Sequence, residues 1–224
     1  MRKLIIAVDG TAGSGKTETM QQVAQKINYH FIDTGLMYRA FTLLGLKRKI
    51  NFNNRQEIIA LIPDFNYEIR NNLVFLNGEN VNDQLQTSDV LKEINKVTVI
   101  GEIRAMMVVK QRQISNVPGT IAIGRDITSV VLTNADLKIY LDCSSQIRAV
   151  RRYVQNLKNN ILDMSVEQIE KMIIERDFND KNRQDGPLTI VKDAWVIDNS
   201  NLTLDQTVDL IVERIKQIER GQHG

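Results

Sequence analysis

Cysteine is almost absent. Cys143 is the only one in 224 residues, which rules out an intrachain disulfide and a thiolate-rich zinc site and leaves a buried core thiol as the expected role. An excess of either charge is missing too. Lys and Arg number 29 and Asp and Glu 27, a formal net charge of +2. That balance offers no broad surface to nucleic acid or to a membrane, so any anion site must be built locally from clustered arginine and lysine. No apolar stretch approaches a membrane span, and no repeat or low-complexity tract is present. The apolar run at 4–8 ends at Asp9 after five residues, short of the roughly 7–15 residues of a signal-peptide core. A cytoplasmic protein is therefore expected, with no nucleic-acid or membrane partner. The histidines His30 and His223 read as incidental, one in a strand-like run and one in a polar tail.

At 42% hydrophobic and 25% charged residues, the chain has the composition of a soluble globular protein with one main core and room for small inserted subdomains. Gly10-Thr11-Ala12-Gly13-Ser14-Gly15-Lys16-Thr17 is a phosphate-binding P-loop. It follows the 4–8 run and precedes Met20, Val23, Ala24 and Ile27, which lie at i, i+3, i+4 and i+7 on one helix face. Its glycines let backbone N–H groups curl round an anion, and the following helix presents its positive end. Lys16 reaches the β and γ phosphates, and the Thr17 hydroxyl can ligate Mg²⁺. A nucleoside triphosphate is the expected ligand.

Strand-like runs at 4–8, 30–32, 120–123, 137–141 and 195–197 alternate with helical patterns, which predicts a parallel α/β sheet with helices on both faces. Ser165 with Gln168 and Thr203 with Gln206 fit capping boxes ahead of late helices. One segment breaks the alternation. Phe65, Tyr67 and Ile69 alternate with polar residues, Asn71-Asn72 signals a turn, 73–76 is β-rich, and Asn77-Gly78 signals a second turn. This predicts a small antiparallel meander. Pro63 lies before it and the helical stretch Val90, Leu91, Ile94, Val97 after it, so it reads as an insertion into the core. Residues 146–180 read as two helices joined by a short polar connection near Asn159 and Asn160, with Arg148, Arg151 and Arg152 at the start. They form a lid suited to closing over a donor, with Arg151 the foremost candidate to reach its phosphates.

Many enzymes and switches share a P-loop. The Asp-x-x-Gly and Asn-Lys-x-Asp patterns of a GTPase occur nowhere in the chain. Arginines stand instead at separated places: Arg39 in Asp33-Thr34-Gly35-Leu36-Met37-Tyr38-Arg39, Arg104, Arg125 in Gly124-Arg125-Asp126, and Arg176 and Arg183 in the run 175–183. A hydroxyl acceptor calls for a base, whereas a phosphate acceptor already offers an anionic oxygen and needs its repulsion screened. Arginine screens it, holding phosphate bidentately and staying charged at any physiological pH. A phosphate-bearing acceptor such as a nucleoside monophosphate is expected. Arg125 follows an apolar strand, at the edge where open α/β sheets bind ligands.

Together and in this order, the P-loop, Asp33-Thr34-Gly35 with Tyr38-Arg39, Gly124-Arg125-Asp126 with Val130-Val131, the strand 138–142 and Glu175-Arg176-Asp177 through Arg183 resemble the bacterial cytidylate kinase family over nearly the whole chain. Residues 85–90 resemble the stretch that follows that family's monophosphate-binding insertion. The resemblance implies a core at about 1–62, 99–145 and 184–224, an NMP-binding insertion at about 63–98 and a lid at about 146–183. It implies a kinase moving the ATP γ-phosphoryl group to CMP and dCMP by direct in-line transfer with Mg²⁺; separately, no long apolar stripe demands a partner, so a monomer is expected. Arg39, Arg125 and Arg183 would hold the acceptor phosphate, and Arg176 and Asp180 would face the sugar hydroxyls. Arg104, Asp126 and Thr98 would read cytosine, and Thr34 would lie near the acceptor. Lys16, Arg125, Arg183 and Arg151 are the catalytic candidates. Cytosine's amino group suits a carboxylate, and its carbonyl and ring nitrogen suit an arginine. Uracil would set an acceptor oxygen against Asp126 and be selected against. The chain departs from the family pattern at Thr17, Gln86, Thr128-Ser129, Leu132-Thr133, Asn179 and Lys181. A different local turn is expected after Asp126 and less charge in the lid. The alternatives are a kinase for uridylate, shikimate or dephospho-coenzyme A, or a nucleotide-binding regulator without transfer.

Overall fold

A computed structural model describes residues 2–70, 72–158 and 164–221. Asn71, Asn159, Asn160 and His223 lie outside them. The chain forms two compact units, one of Met1–Ile32 with Ser115–Gly224 and one of Asp33–Ile114.

In the first unit, β1 (Ile5–Gly10), α1 (Lys16–Ile27), β2 (His30–Asp33, whose last residue opens the second unit), β6 (Thr120–Ile123), β7 (Leu137–Asp142), α6 (Ser145–Lys158), α7 (Val166–Asn182), β8 (Trp195–Asp198) and α8 (Leu204–Glu219) follow in chain order. The five strands lie in the order β2-β6-β1-β7-β8. β1 pairs in parallel with β6 and β7, and β7 with β8. All five expected strands are present. Alternate residues Leu4, Ile6, Val8, Ile121, Ile123, Leu137, Ile139 and Leu141 pack with Met20, Val23 and Ala24 of α1 and Val208, Ile211 and Ile215 of α8 in one core. Ala7, Asp9, Ala122 and Tyr140, on the opposite sheet face, are buried as well. Sheets covered on both faces need continuous apolar runs, which is why these strands stand out in the sequence. Both predicted capping boxes form: Ser165 and Gln168 open α7, and Thr203 and Gln206 open α8.

The second unit holds α2 (Thr34–Lys47), α3 (Arg55–Ile59), the antiparallel strands β3 (Tyr67–Arg70), β4 (Leu73–Leu76) and β5 (Glu79–Asn80), then α4 (Ser88–Thr98) and α5 (Gly101–Ser115), whose last residue returns to the first unit. The meander is as predicted, and it shares its unit with α2 and α5. The core joins Met37, Phe41 and Leu44 to Phe65, Tyr67, Val74, Leu85, Val97, Ile103 and Met107, with Phe41 and Phe65 edge to face at 5.1 Å. Gly45 is required by close approach, since a Cβ there would lie 2.6 Å from Phe52 Cζ. On α4, Val90 and Val97 are buried and Ile94 partly so, while Leu91, one residue round the helix, is exposed.

Candidate functional site

The carboxyl ends of β1 and β6 are adjacent in the sheet, so the P-loop and Gly124-Arg125-Asp126 leave the same edge. Gly10 has φ 152°, and a Cβ there would meet Leu141 O at 2.1 Å, so only glycine fits. Gly13 and Gly15 have φ of 77° and 86°, the left-handed region that glycine enters without penalty. Lys16 is buried, and its ammonium donates to Gly10 O at 2.7 Å, Thr11 O at 2.6 Å and Ser14 Oγ at 3.3 Å. The charge is thereby held over the loop mouth. Ser14 N–H turns back to Thr11 O, and the N–H groups of Gly13 and Gly15 have no partner among the described residues. The Thr11 hydroxyl is buried without one. Unsatisfied donors beside the N-terminus of a 12-residue helix are what a polyphosphate requires. Thr17 sits exposed on the first turn of α1.

Asp9 stands between strand and loop and escaped notice in the sequence except as the end of an apolar run. It is fully buried, and its carboxylate accepts from Ile127 N–H at 2.9 Å, Thr128 N–H at 2.8 Å and the Thr128 hydroxyl at 2.6 Å. Burial pushes its pKa up, against these hydrogen bonds, which lower it, and with the nearby Asp126 charge raising it further. The acceptor of these bonds adjoins Gly10 and the donors adjoin Asp126, so one side chain ties the two ends of the site together. The donors belong to a π-helical turn over Ile127–Val131, and the Thr128 side chain supplies the third.

Further charges of the first unit are paired. Arg125 Nε donates to Asp180 on α7 at 2.9 Å, and Arg183 lies 3.5 Å from Asp126 and donates to Gly186 O at 2.5 Å. Arg125, Asp126, Asp180 and Arg183 are therefore neighbours, while Arg176 is exposed on α7. Arg148 is buried rather than part of a solvated stripe. It donates to Cys143 O, to Ala12 O of the P-loop, and to Asp177 on α7 at 2.6 Å. Arg151 donates to Asn199 Oδ1 and O, and to Cys143 Sγ at 3.4 Å, and Arg152 makes an exposed bond to Gln155. Cys143 is buried, as expected. Arg148 and Asn199 were not singled out as partners of the loop. Local sequence pattern ranks neither above its neighbours, because the contacts depend on where β7 and β8 end.

In the second unit Asp33 caps α2 by accepting from Gly35 N–H at 2.9 Å, and Thr34 is buried beside it. Arg39, half-buried on the same helix, makes no hydrogen bond or ion pair among the described residues. Arg104 is buried, donates to Thr98 O at 3.4 Å and has its guanidinium 6.0 Å from the Tyr38 ring centroid. Thr98 donates its hydroxyl to Asn95 O at 3.3 Å. Thr34, Arg39, Thr98 and Arg104 thus share one unit, and Arg125, Asp126, Arg176, Asp180 and Arg183 the other.

The chain is 54% identical over 219 residues to a cytidylate kinase of Mycoplasma capricolum, covering 98% of this chain and 99% of that one. It is 50% identical over 219 residues to a cytidylate kinase of Mesoplasma florum, with 97% and 98% covered. Among solved structures, an uncharacterized protein from Eubacterium ventriosum superposes with a TM-score of 0.54 at 12% identity over 96% of this chain and 99% of that one. A shikimate kinase from Bacteroides thetaiotaomicron gives 0.50 at 10% identity over 96% and 97%. These two structures share the fold alone. The model of the family described as cytidylate kinase matches residues 6–217, the span that holds the loop, the Gly-Arg-Asp turn and the arginines of α2, α5 and α7. With that match and half-identical relatives over its full length, the chain belongs to the cytidylate kinase family of P-loop enzymes.

Proposed function

We propose that this enzyme transfers the γ-phosphoryl group of ATP to CMP, and also to dCMP, by direct in-line displacement with Mg²⁺, and works as a cytoplasmic monomer. The observation that carries the acceptor assignment is Arg39. A half-buried guanidinium cannot shed its charge, and with no hydrogen bond or ion pair among the described residues it calls for an anion from solution. Phosphate fits that fork. Arg125 and Arg183 take the same role, Arg176 and Asp180 serve the sugar, and Thr34 lies near the acceptor. Arg104, Asp126 and Thr98 read the base: Asp126 accepts from the cytosine amine, and Arg104 donates to the carbonyl and ring nitrogen.

On the donor side the free Gly13 and Gly15 N–H groups and Lys16 stabilise charge developing on the transferring phosphates. Gly10, Thr11, Ala12 and Ser14 shape the cradle, and Arg151 is proposed to serve these phosphates when α6 and α7 close. Among the described residues no set of three or more His, Cys, Asp or Glu could hold a metal. Thr17 is the protein ligand this reading needs, because Mg²⁺ binds mainly through phosphate oxygens and water. When bound, Mg²⁺ would neutralise phosphate charge. No helix among the described residues is long and apolar enough to cross a membrane.

The test is an assay of ADP release with CMP, dCMP, UMP and AMP, native chain beside Asp126→Ala. Fast turnover on CMP and dCMP, lost or relaxed in the variant, is expected. Equal or absent turnover on all four acceptors refutes the assignment.

A further inference from the structure

Two carbonyls of the P-loop are held by side chains from outside the loop. Ala12 O accepts from Arg148 Nη1 at 2.9 Å and Ser14 O accepts from Asn199 Nδ2 at 2.8 Å. No peptide bond among the described residues is cis, so each C=O of the loop points opposite to the N–H that follows it. Holding these two carbonyls turns the Gly13 and Gly15 N–H groups the other way, and neither of these N–H groups has a partner among the described residues. Glycine at each of these positions makes rotation of the peptide easy, so the orientation needs an external restraint.

We propose that Arg148 and Asn199 are positioning residues of the donor loop, clamping the Ala12–Gly13 and Ser14–Gly15 peptides with their N–H groups toward the phosphates. This rests on reading the loop as a polyphosphate site. Both side chains are buried and have their own geometry dictated. Arg151 Nη1 donates to Asn199 Oδ1 at 3.2 Å and its Nη2 to Asn199 O at 3.0 Å, which leaves the amide nitrogen facing Ser14. Arg148 divides its donors among Cys143 O at 2.8 Å, Ala12 O and Asp177 Oδ2 at 2.6 Å, and its stem lies 3.9 Å from where a Gly13 Cβ would stand. A lysine ammonium cannot span three divergent acceptors. Through Asp177 and Arg151 the clamp makes the loop's orientation depend on α6 and α7.

Calorimetric titration of the native chain, Asn199→Ala and Arg148→Lys with MgADP, inorganic tripolyphosphate and CMP tests this. Each variant should weaken MgADP and tripolyphosphate alike by about 3–10-fold, the worth of one hydrogen bond, and leave CMP within about twofold. A native chain that binds neither MgADP nor tripolyphosphate would refute the polyphosphate reading itself. If the native chain binds both, weakening of MgADP without tripolyphosphate would place these residues at the base end and overturn the proposal. Unchanged affinities with a lower Tm, or an equal loss on CMP, would show a merely structural role and overturn it too. Asn199→Ala keeps the test open if Arg148→Lys, which perturbs a buried ion pair, fails to fold.

Discussion

In the first unit Lys16, Arg125, Arg148 and Arg183 each meet oxygens of that same unit at 2.5–3.5 Å, whereas in the second Arg39 stands half-buried on α2 with no hydrogen bond or ion pair among the described residues. The contrast follows from what each side uses. Backbone N–H groups bind an anion only if their peptides already point correctly, so the loop and its surroundings must be assembled beforehand. A guanidinium brings a permanent charge, and leaving it unpaired keeps it available. Lys16 held by its own loop and Arg39 open to an anion mark the two ends of this contrast.

The contrast can be broken at several points. Lys16→Met should lower kcat by about 10²–10³-fold, as loss of one preorganised donor does. The ADP-release assay reads this, and an unaffected kcat would remove Lys16 from the mechanism. Asp9→Ala should leave three buried donors of the Ile127–Val131 turn unpaired and cost about 3 kcal/mol in a urea melt, at roughly 1 kcal/mol or more each. A loss below about 1 kcal/mol would show that the turn does not depend on this carboxylate. Arg39→Ala should reduce kcat/KM for CMP by about 10–100-fold, a charge-assisted contact, with Tm unchanged because no protein partner is lost. Arg125→Ala should lower both activity and Tm, since Asp180 loses its partner. Equal behaviour of these two variants would erase the contrast.

The smallest expected effect is alkaline. Tyr140 in the first unit is pushed up to about 12, first by burial and then by Asp142, Asp177 and Asp9. Tyr67 in the second is raised as well, by burial and by Asp33. A phenol whose folded pKa exceeds its unfolded value of about 10 binds its proton more tightly in the native state. The stability it contributes is whole below pH ~10 and fades as pH rises through about 12. Absorbance titration should show these phenols ionising late in the folded chain and normally in urea.

Local patterns were legible where one element decides them. The P-loop spacing, five strand runs, two capping boxes and the Asn77-Gly78 turn depend on neighbours within a few residues, and all appear in the fold. Leu91 shows where the pattern blurs: it belongs to the same apolar series as Val90 and Ile94, yet only a particular facing surface leaves it in solvent. Asp9 gave no signal beyond ending an apolar run, because its partners are 118 and 119 residues away.

The sequence by itself determined that a buried strand runs into a glycine-rich anion cradle and a helix, that a β-meander interrupts the alternation, and that arginine rather than a base is the recurrent charged group. Those properties are written in periodicity and spacing along the chain. Only the tertiary structure decided that Arg148 and Asn199 take the outer carbonyls of the loop, that Asp180 and Asp177 pair with Arg125 and Arg148, and that Arg39 has no hydrogen bond or ion pair among the described residues. Each depends on where strand ends and helices meet across more than 20 residues or, for Arg39, on what packs nearby. Burial and hydrogen-bond geometry choose among chemically equivalent side chains only once that packing exists.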